Sequence, residues 1–178
     1  FIVEKGTPGF EIGKPEKKMG LHSSATGELF FRNCRIPKEN MLGGMNKGFP
    51  LFMKGLDEGR IAISAMAVGM AQGALDRAVS YAKERIQFGK PIAEHQAVAF
   101  YIADMATEIE LARTMLYRVA AMRDSGVPFT QEAAMLKLFS SEMCVRVCDK
   151  AVQIHGGNGY SQEYEVERFL RDSKLLTI

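Results

Sequence analysis

Apolar residues recur every three or four positions from about residue 47 to the end of the chain, which is the period of an α-helix. The pattern predicts a first long helix from Phe49 to Glu84. Its apolar residues form two adjacent stripes: Ile63, Ala67, Met70, Ala74, Ala78 and Tyr81, and beside them Ile61, Ala65, Val68, Leu75 and Val79. A helix that is apolar on two faces is expected to lie between neighbours. Gly69 and Gly73 lower its helix propensity, so we expect close backbone approach there.

Three more helices follow from the same period. The second is predicted from Glu94 to Arg123, and Asp124 to Pro128 end it. Thr130 is a suitable N-cap for a third helix, which runs to the turn at Gly156 and Gly157. A short fourth helix is predicted from Val166 to Leu170. Long helices joined by short loops are typical of an antiparallel up-down bundle, so the fold is expected to be mainly α.

The first 46 residues have a different pattern. Thr7 to Gly9 is a turn signal, and short β-like runs cover Glu28 to Arg32 and Cys34 to Ile36 before Pro37. We therefore predict two domains, with a β-rich part in residues 1–46 and a helical domain in residues 47–178.

Composition excludes several classes of protein. A net charge of +2 over 178 residues argues against nucleic-acid binding, and no apolar run is long enough for a membrane span. The cysteine count of three is odd and predicts no disulfide framework, as in a reducing compartment. Cys144 and Cys148 are spaced i, i+4, but no further ligand completes a metal site. We interpret them as two packed, inert thiols and expect no metal.

Two segments carry residues suited to an anionic ligand. Residues 85–92 read RIQFGKPI, and residues 153–160 read QIHGGNGY. The guanidinium of Arg85 is a planar fork of donors that matches phosphate. Glycine lets backbone N–H groups come close to an anion, because no Cβ is in the way. Together they suggest a nucleotide-type cofactor, and the alternative for Arg85 is a solvated helix C-terminus.

These segments resemble the RxxFGxPI and QxxGGxGY motifs of the acyl-CoA dehydrogenase family. Residues 55–60, GLDEGR, resemble the start of the family's long helix, and residues 167–174, ERFLRDSK, resemble a run near its C-terminus. The resemblance covers essentially the whole chain, in order, and is strongest to the short-chain, butyryl-CoA-like branch. It implies the C-terminal helical bundle of that family, preceded by the end of its β-barrel-like middle domain.

The resemblance also implies a function. The family binds FAD non-covalently together with an acyl-CoA thioester. A carboxylate removes a proton from the acyl α-carbon, a hydride passes from the β-carbon to the flavin, and trans-2-enoyl-CoA is formed. Electrons then pass to an electron-transfer flavoprotein. The resemblance further implies a homotetramer built as a dimer of dimers, in the bacterial cytoplasm or the mitochondrial matrix.

Site residues are carried over from the family motifs. The residues expected to contact FAD are Arg85, Gln87, Phe88 and Gln96, with the backbone cradle of Gln153, Ile154, His155, Gly156 and Gly157. His95 matches a family contact too, and its alternative is a solvated residue at the helix start. The residues expected to contact acyl-CoA are Asp57, Glu58, Gly59 and Arg60. Arg60 is also spaced to pair with Asp57 at i, i+3. We expect no catalytic role for His155.

The general base is expected just beyond Ile178. Another branch of the family places it immediately before the position of Arg60, where this chain has Gly59. Glu58 is one residue away, which is a rotation of about 100° on a helix. The chain also starts and stops inside apolar runs, so we expect it to be a piece of a longer protein that is inactive by itself. The alternatives are a flavoenzyme of the same fold with other chemistry and a non-catalytic oligomerising helical module.

Overall fold

The computed structural model describes all 178 residues. Two short strands, β1 (Phe10–Ile12) and β2 (Leu29–Phe31), form an antiparallel pair in which Phe10 faces Phe31. The rings of these two residues stack with centroids 5.0 Å apart. The strand predicted within residues 28–32 is therefore present. The one predicted at Cys34 to Ile36 is wrong, because that segment is irregular and leads into Pro37.

Four helices build the rest of the chain: α1 (Gly48–Glu84), α2 (Gln96–Asp124), α3 (Thr130–His155) and α4 (Val166–Ser173). The two-stranded hairpin of β3 (Ile86–Gln87) and β4 (Lys90–Pro91) joins α1 to α2. The predicted mainly α fold is confirmed, with helix boundaries within three residues of the expected ones. None of the helices combines the length and apolar character that crossing a membrane requires.

The chain divides into two compact units, Phe1–Leu56 and Asp57–Ile178. The first holds β1, β2 and the first turns of α1, and the second holds the remainder of α1 and all later helices. The domain boundary predicted between residues 46 and 47 stays a prediction.

The core of the second unit depends on small residues along α1. Ala67, Ala71, Ala74, Ala78 and Ala82 are all fully buried. Because their side chains are single methyl groups, larger side chains of the neighbouring helices can pack closely against this stripe. Those larger residues, all in the same buried cluster, are Met105 and Ile109 of α2 and Met143 and Val147 of α3. The two-faced apolar pattern thus correctly predicted a helix that lies between neighbours.

The glycines of α1 differ from the expectation. A Cβ at Gly73 would lie 3.3 Å from Cζ of Phe169, so a ring of α4 approaches this position. At Gly69 an added Cβ would meet no atom within 4 Å, so the predicted close approach is wrong there.

The N-cap prediction for Thr130 is also wrong. Phe129 occupies the cap position, and Thr130 is the first residue of α3. The hydroxyl group of Thr130 donates a hydrogen bond to Oδ2 of Asp57 on α1 at 2.6 Å, so it links two helices.

Cys144 and Cys148 are fully buried, with their sulfur atoms 4.0 Å apart. The hydrogen bond with Cys148 and burial both raise the pKa of the Cys144 thiol. A thiol that stays protonated is a poor nucleophile and a poor metal ligand. No group of histidine, cysteine and acidic residues is arranged to hold a metal ion.

Two leucines of α3 provide a test of the packing. Leu136 is fully buried, and Leu138 is 60% exposed on the same helix. Leu136→Ala should lower the free energy of unfolding by about 2–5 kcal/mol, because it removes buried methyl groups and leaves a cavity. The control Leu138→Ala should change it by no more than about 0.5 kcal/mol. Urea titration followed by circular dichroism measures both, and equal losses would contradict the assigned core.

Candidate functional site

A β-hairpin begins directly after the last residue of α1. Arg85 is its first residue, and the backbone N–H of Arg85 still donates to the carbonyl of Tyr81 at 2.9 Å. At the tip, Phe88 and Gly89 have φ angles of 53° and 81°. Such angles are strained for a phenylalanine, which has a Cβ. The hairpin thereby holds the Phe88 ring 92% exposed.

His95, directly before α2, contacts two residues of this hairpin. Its Nε2 lies 3.2 Å from the carbonyl oxygen of Gln87 and donates to it, because a carbonyl can only accept. Its ring also meets the edge of Phe88, with centroids 6.0 Å apart. The N–H of Ile92 closes the base of the hairpin on the carbonyl of Arg85 at 2.8 Å. His95 therefore has a structural role that sequence reasoning did not assign.

A glycine turn ends α3. Gly156 has a φ of 59° and a ψ of −137°, a combination that essentially only glycine adopts. A Cβ added at Gly156 or Gly157 would meet no atom within 4 Å, so this side of the backbone is open to a ligand. Gly159 differs, because a Cβ there would lie 2.6 Å from the carbonyl oxygen of Val152. Packing of the turn on α3 therefore requires glycine at 159, whereas 156 and 157 present open backbone.

Tyr81 connects the glycine turn to the helix end that carries Arg85. Its hydroxyl accepts a hydrogen bond from Nδ2 of Asn158 at 2.9 Å. Its ring stacks on His155 with centroids 4.3 Å apart, and Tyr164 meets its edge at 5.9 Å. One side chain of α1 thus contacts the residue before the turn and a residue in the middle of it.

The hairpin and the turn line a solvent-open cavity of about 440 Å³. It brings together six of the nine predicted cofactor residues: Arg85, Gln87, Ile154, His155, Gly156 and Gly157. Phe88, Gln96 and Gln153 are not part of its lining. Sequence reasoning missed Tyr81, Ile92 and Asn158. The available signal for Tyr81 was its spacing, one helical turn before Arg85.

Arg85 gives the cavity a positive charge that no protein group neutralises. Arg60, Arg77 and Arg146 in the same unit each pair with a carboxylate, whereas the exposed guanidinium of Arg85 has no such partner. An unpaired guanidinium beside open glycine backbone fits a phosphate or pyrophosphate group.

His155 is the buried titratable group of this cavity, at 5% exposure. Its Nδ1 lies 2.8 Å from the carbonyl oxygen of Ala151, so Nδ1 carries the proton and donates it. Burial lowers the pKa of His155 below its ordinary value of about 6.5, although the hydrogen bond to Ala151 opposes this. The imidazole is therefore uncharged at neutral pH.

The second predicted site, Asp57 to Arg60, lies where Asp57 of α1 contacts Thr130 of α3. Oδ1 of Asp57 accepts a hydrogen bond from Nη1 of Arg60 at 2.6 Å, so the i, i+3 pair predicted as an alternative exists. Its Oδ2 accepts the bond from Thr130 described above. Glu58 is exposed and lies 3.5 Å from Arg123. Gly59 has no side chain to offer. Asp57, whose other oxygen is bound by Thr130, thus holds the Arg60 guanidinium through one short contact.

The two candidate sites lie far apart along α1, with Arg60 in the helix and Arg85 directly after its last residue. Arg60 and Arg85 are separated by 25 residues, since 85 minus 60 is 25. At 1.5 Å per residue, this separation is about 37 Å along the axis.

Comparison with known proteins gives a consistent result. Residues 46–178 match the family model described as acyl-CoA dehydrogenase, C-terminal domain. The chain is 54% identical to the probable acyl-CoA dehydrogenase YngJ of Bacillus subtilis, covering all of this chain and 47% of that protein. It is 51% identical to the caffeyl-CoA reductase-Etf complex subunit CarC of Acetobacterium woodii, again covering all of this chain and 47% of the relative.

A solved structure agrees with these relatives. Butyryl-CoA dehydrogenase from Megasphaera elsdenii superposes with a TM-score of 0.98 at 50% identity, over all of this chain and 46% of that one. The chain therefore spans about half the length of the curated relatives that it matches.

The uncharged state of His155 predicts a pH dependence of stability. In the unfolded chain this histidine takes up a proton near pH 6.5, whereas the folded state resists protonation to lower pH. The unfolded state then binds more protons, so the free energy of unfolding falls as pH decreases below about 6.5. The fall attributable to His155 should not exceed about 1.4 kcal/mol per pH unit. Urea titrations between about pH 7.5 and pH 5.5 measure it.

The comparison variant is His155→Phe, which keeps an aromatic ring against Tyr81 and cannot titrate. Its free energy of unfolding should depend less on pH over the same interval. Identical pH slopes for the two proteins would contradict a neutral, buried His155.

Proposed function

The chain belongs to the acyl-CoA dehydrogenase family, and from this membership we propose that the whole protein is an FAD-dependent dehydrogenase of a short-chain acyl-CoA. The observation that carries the proposal is the cavity between the hairpin and the glycine turn. There the unpaired Arg85 lies beside Gly156 and Gly157, whose backbone is open. This combination of groups suits the pyrophosphate of a dinucleotide.

In the proposed reaction, this part of the protein binds and orients. Arg85 and the turn at Gly156 and Gly157 hold the phosphates of FAD, while Tyr81 keeps the turn fixed to the helix that carries Arg85. When bound, FAD supplies the acceptor for the hydride that leaves the acyl β-carbon. A dry, well-positioned site is what such chemistry requires.

For the substrate, we propose that Asp57 to Arg60 contact acyl-CoA. The support is the orientation of Arg60 by Asp57, which in turn is held by Thr130. Glu58 is a poor candidate for the base, because it faces solvent and lies beside Arg123. We therefore propose that a carboxylate outside these 178 residues removes the proton from the acyl α-carbon. Electrons would then pass to an electron-transfer flavoprotein.

We further propose that the FAD held at Arg85 serves the substrate site of a neighbouring subunit, in a dimer or a dimer of dimers. The support is the distance of about 37 Å between Arg60 and Arg85 on one helix. Phosphates fixed at Arg85 would leave the flavin ring short of Arg60 in the same chain.

A second candidate is a flavoenzyme of the same fold that reduces an unsaturated acyl-CoA. The relative from Acetobacterium woodii favours it, because that protein is 51% identical and is named as a reductase subunit. The two reactions differ in direction and use the same binding groups.

Activity of the whole protein tests the proposed function. The purified protein should be yellow and should reduce a redox dye when butyryl-CoA is added. The control is the 178-residue chain with added FAD, which should be inactive because neither of the two family positions for the base is a carboxylate in it. A positioned general base is worth about 10²–10⁴-fold in rate. A colourless whole protein that takes up no FAD would instead support a helical assembly module.

Retention of FAD tests the role of Arg85. In the whole protein, Arg85→Ala should weaken FAD binding by about 1.5–3 kcal/mol, because a charge-assisted contact to phosphate is lost. Flavin fluorescence during dilution or dialysis measures the dissociation constant. The matched control is Arg118→Ala, an exposed arginine of α2 outside the cavity lining. If both variants keep FAD as tightly as the parent protein, the assignment of Arg85 is wrong.

A further inference from the structure

Nε2 of His155, a residue that lines the cavity, has no hydrogen-bond partner in the protein. Nδ1 of the same ring donates to the carbonyl of Ala151, and the ring is held between Tyr81 and Tyr164. Every side-chain nitrogen or oxygen that is fully shielded from solvent has a hydrogen-bond partner. Nε2 has none, so it is not fully shielded from solvent, and His155 is one of the residues that line the cavity.

The proton on Nδ1 of His155 decides whether Nε2 can donate or accept a hydrogen bond. With the proton on Nδ1, Nε2 carries a lone pair and can only accept a hydrogen bond. The oxygen atoms of a pyrophosphate are acceptors at neutral pH and have no proton to give. Nε2 therefore does not match the phosphates, for which Arg85 and the glycine turn are suited. It matches an uncharged donor elsewhere on the ligand.

We propose that His155 is a ligand-contacting residue that selects the nucleoside part of the cofactor, with Nε2 accepting a hydrogen bond from an uncharged donor. The donor is a sugar hydroxyl or the amino group of the base. This inference rests on the proposed function, because it requires a nucleotide in the cavity. It assigns a side-chain contact to a residue from which only a backbone contribution was expected.

The geometry gives this contact its selectivity. The ring cannot turn freely, because the Tyr81 stack and the bond to Ala151 hold it in place. A ligand that covers Nε2 without offering it a donor removes the water that reaches this atom, so such a ligand should bind more weakly. The same acceptor on an exposed, mobile side chain would discriminate much less, because water would take the place of the donor.

The experiment compares three nucleotides on the whole protein after removal of flavin. ADP carries both donors, 2′,3′-dideoxy-ADP lacks the sugar hydroxyls, and purine riboside diphosphate lacks the amino group without adding another donor. Titration calorimetry gives the Kd of each for the parent protein and for His155→Phe. In the parent protein, one of the two analogues should bind roughly 3- to 10-fold more weakly than ADP, and that analogue identifies the donor.

The variant should bind ADP more weakly by a similar factor and should no longer distinguish that analogue from ADP. A parent protein with no preference, or a variant that keeps the preference of the parent, overturns the inference and leaves the cofactor site intact. A parent protein that binds neither ADP nor FAD overturns the proposed function together with this inference.

A second variant keeps the inference testable if the phenylalanine disturbs folding. His155→Gln places an amide oxygen on a side chain of similar length and should restore part of the preference. His155→Leu, which offers no acceptor, should not. Equal nucleotide preferences in these two variants would overturn the role of Nε2, whatever their stabilities.

Discussion

The packing of the alanine stripe on α1 is the constraint on which the helical unit depends. Ala67, Ala71, Ala74, Ala78 and Ala82 bring the helix backbone close to its neighbours, which fill the remaining space with methionine, isoleucine and valine. A larger residue on this stripe would push α2 and α3 away from α1. Because interiors are close-packed, such a shift would not stay local. The positions of both candidate sites follow from this helix.

At the C-terminal end of α1, residues of the buried core lie next to residues that line the cavity. Ala78 and Ala82 are buried, and Tyr81 between them turns its ring to His155 and its hydroxyl to Asn158. The same side chains therefore complete the packing and set the position of the glycine turn relative to Arg85. At the other end, Asp57 performs a similar task for Arg60, with Thr130 of α3 as the second partner. A rigid helix between them fixes their separation, which is the physical basis for proposing that neighbouring subunits share the cofactor.

Much of this architecture could be predicted from the sequence. Helical periodicity identified all four helices, because it reflects one buried face repeated over many turns. The glycine pair and Arg85 were identifiable because few residue types can approach or bind a phosphate. The roles of individual residues within these helices were harder to predict. Thr130 is a good N-cap by composition, yet its hydroxyl contacts Asp57, a residue 73 positions away in the chain. Gly69 and Gly73 looked alike in sequence, and only Gly73 lies against Phe169.

The sequence by itself determined the helical class, the order of the elements and the chemical character of the cofactor segments. Those properties depend on residue type and on spacing within one element. The tertiary structure alone decided which side chains meet across elements. It placed Tyr81 between His155 and Asn158, left Arg85 without a carboxylate partner and kept Phe88, Gln96 and Gln153 out of the cavity lining. It also left Nε2 of His155 without a hydrogen-bond partner in the protein. Such properties depend on the relative positions of helices, which the packing of their buried faces sets and which no local pattern records.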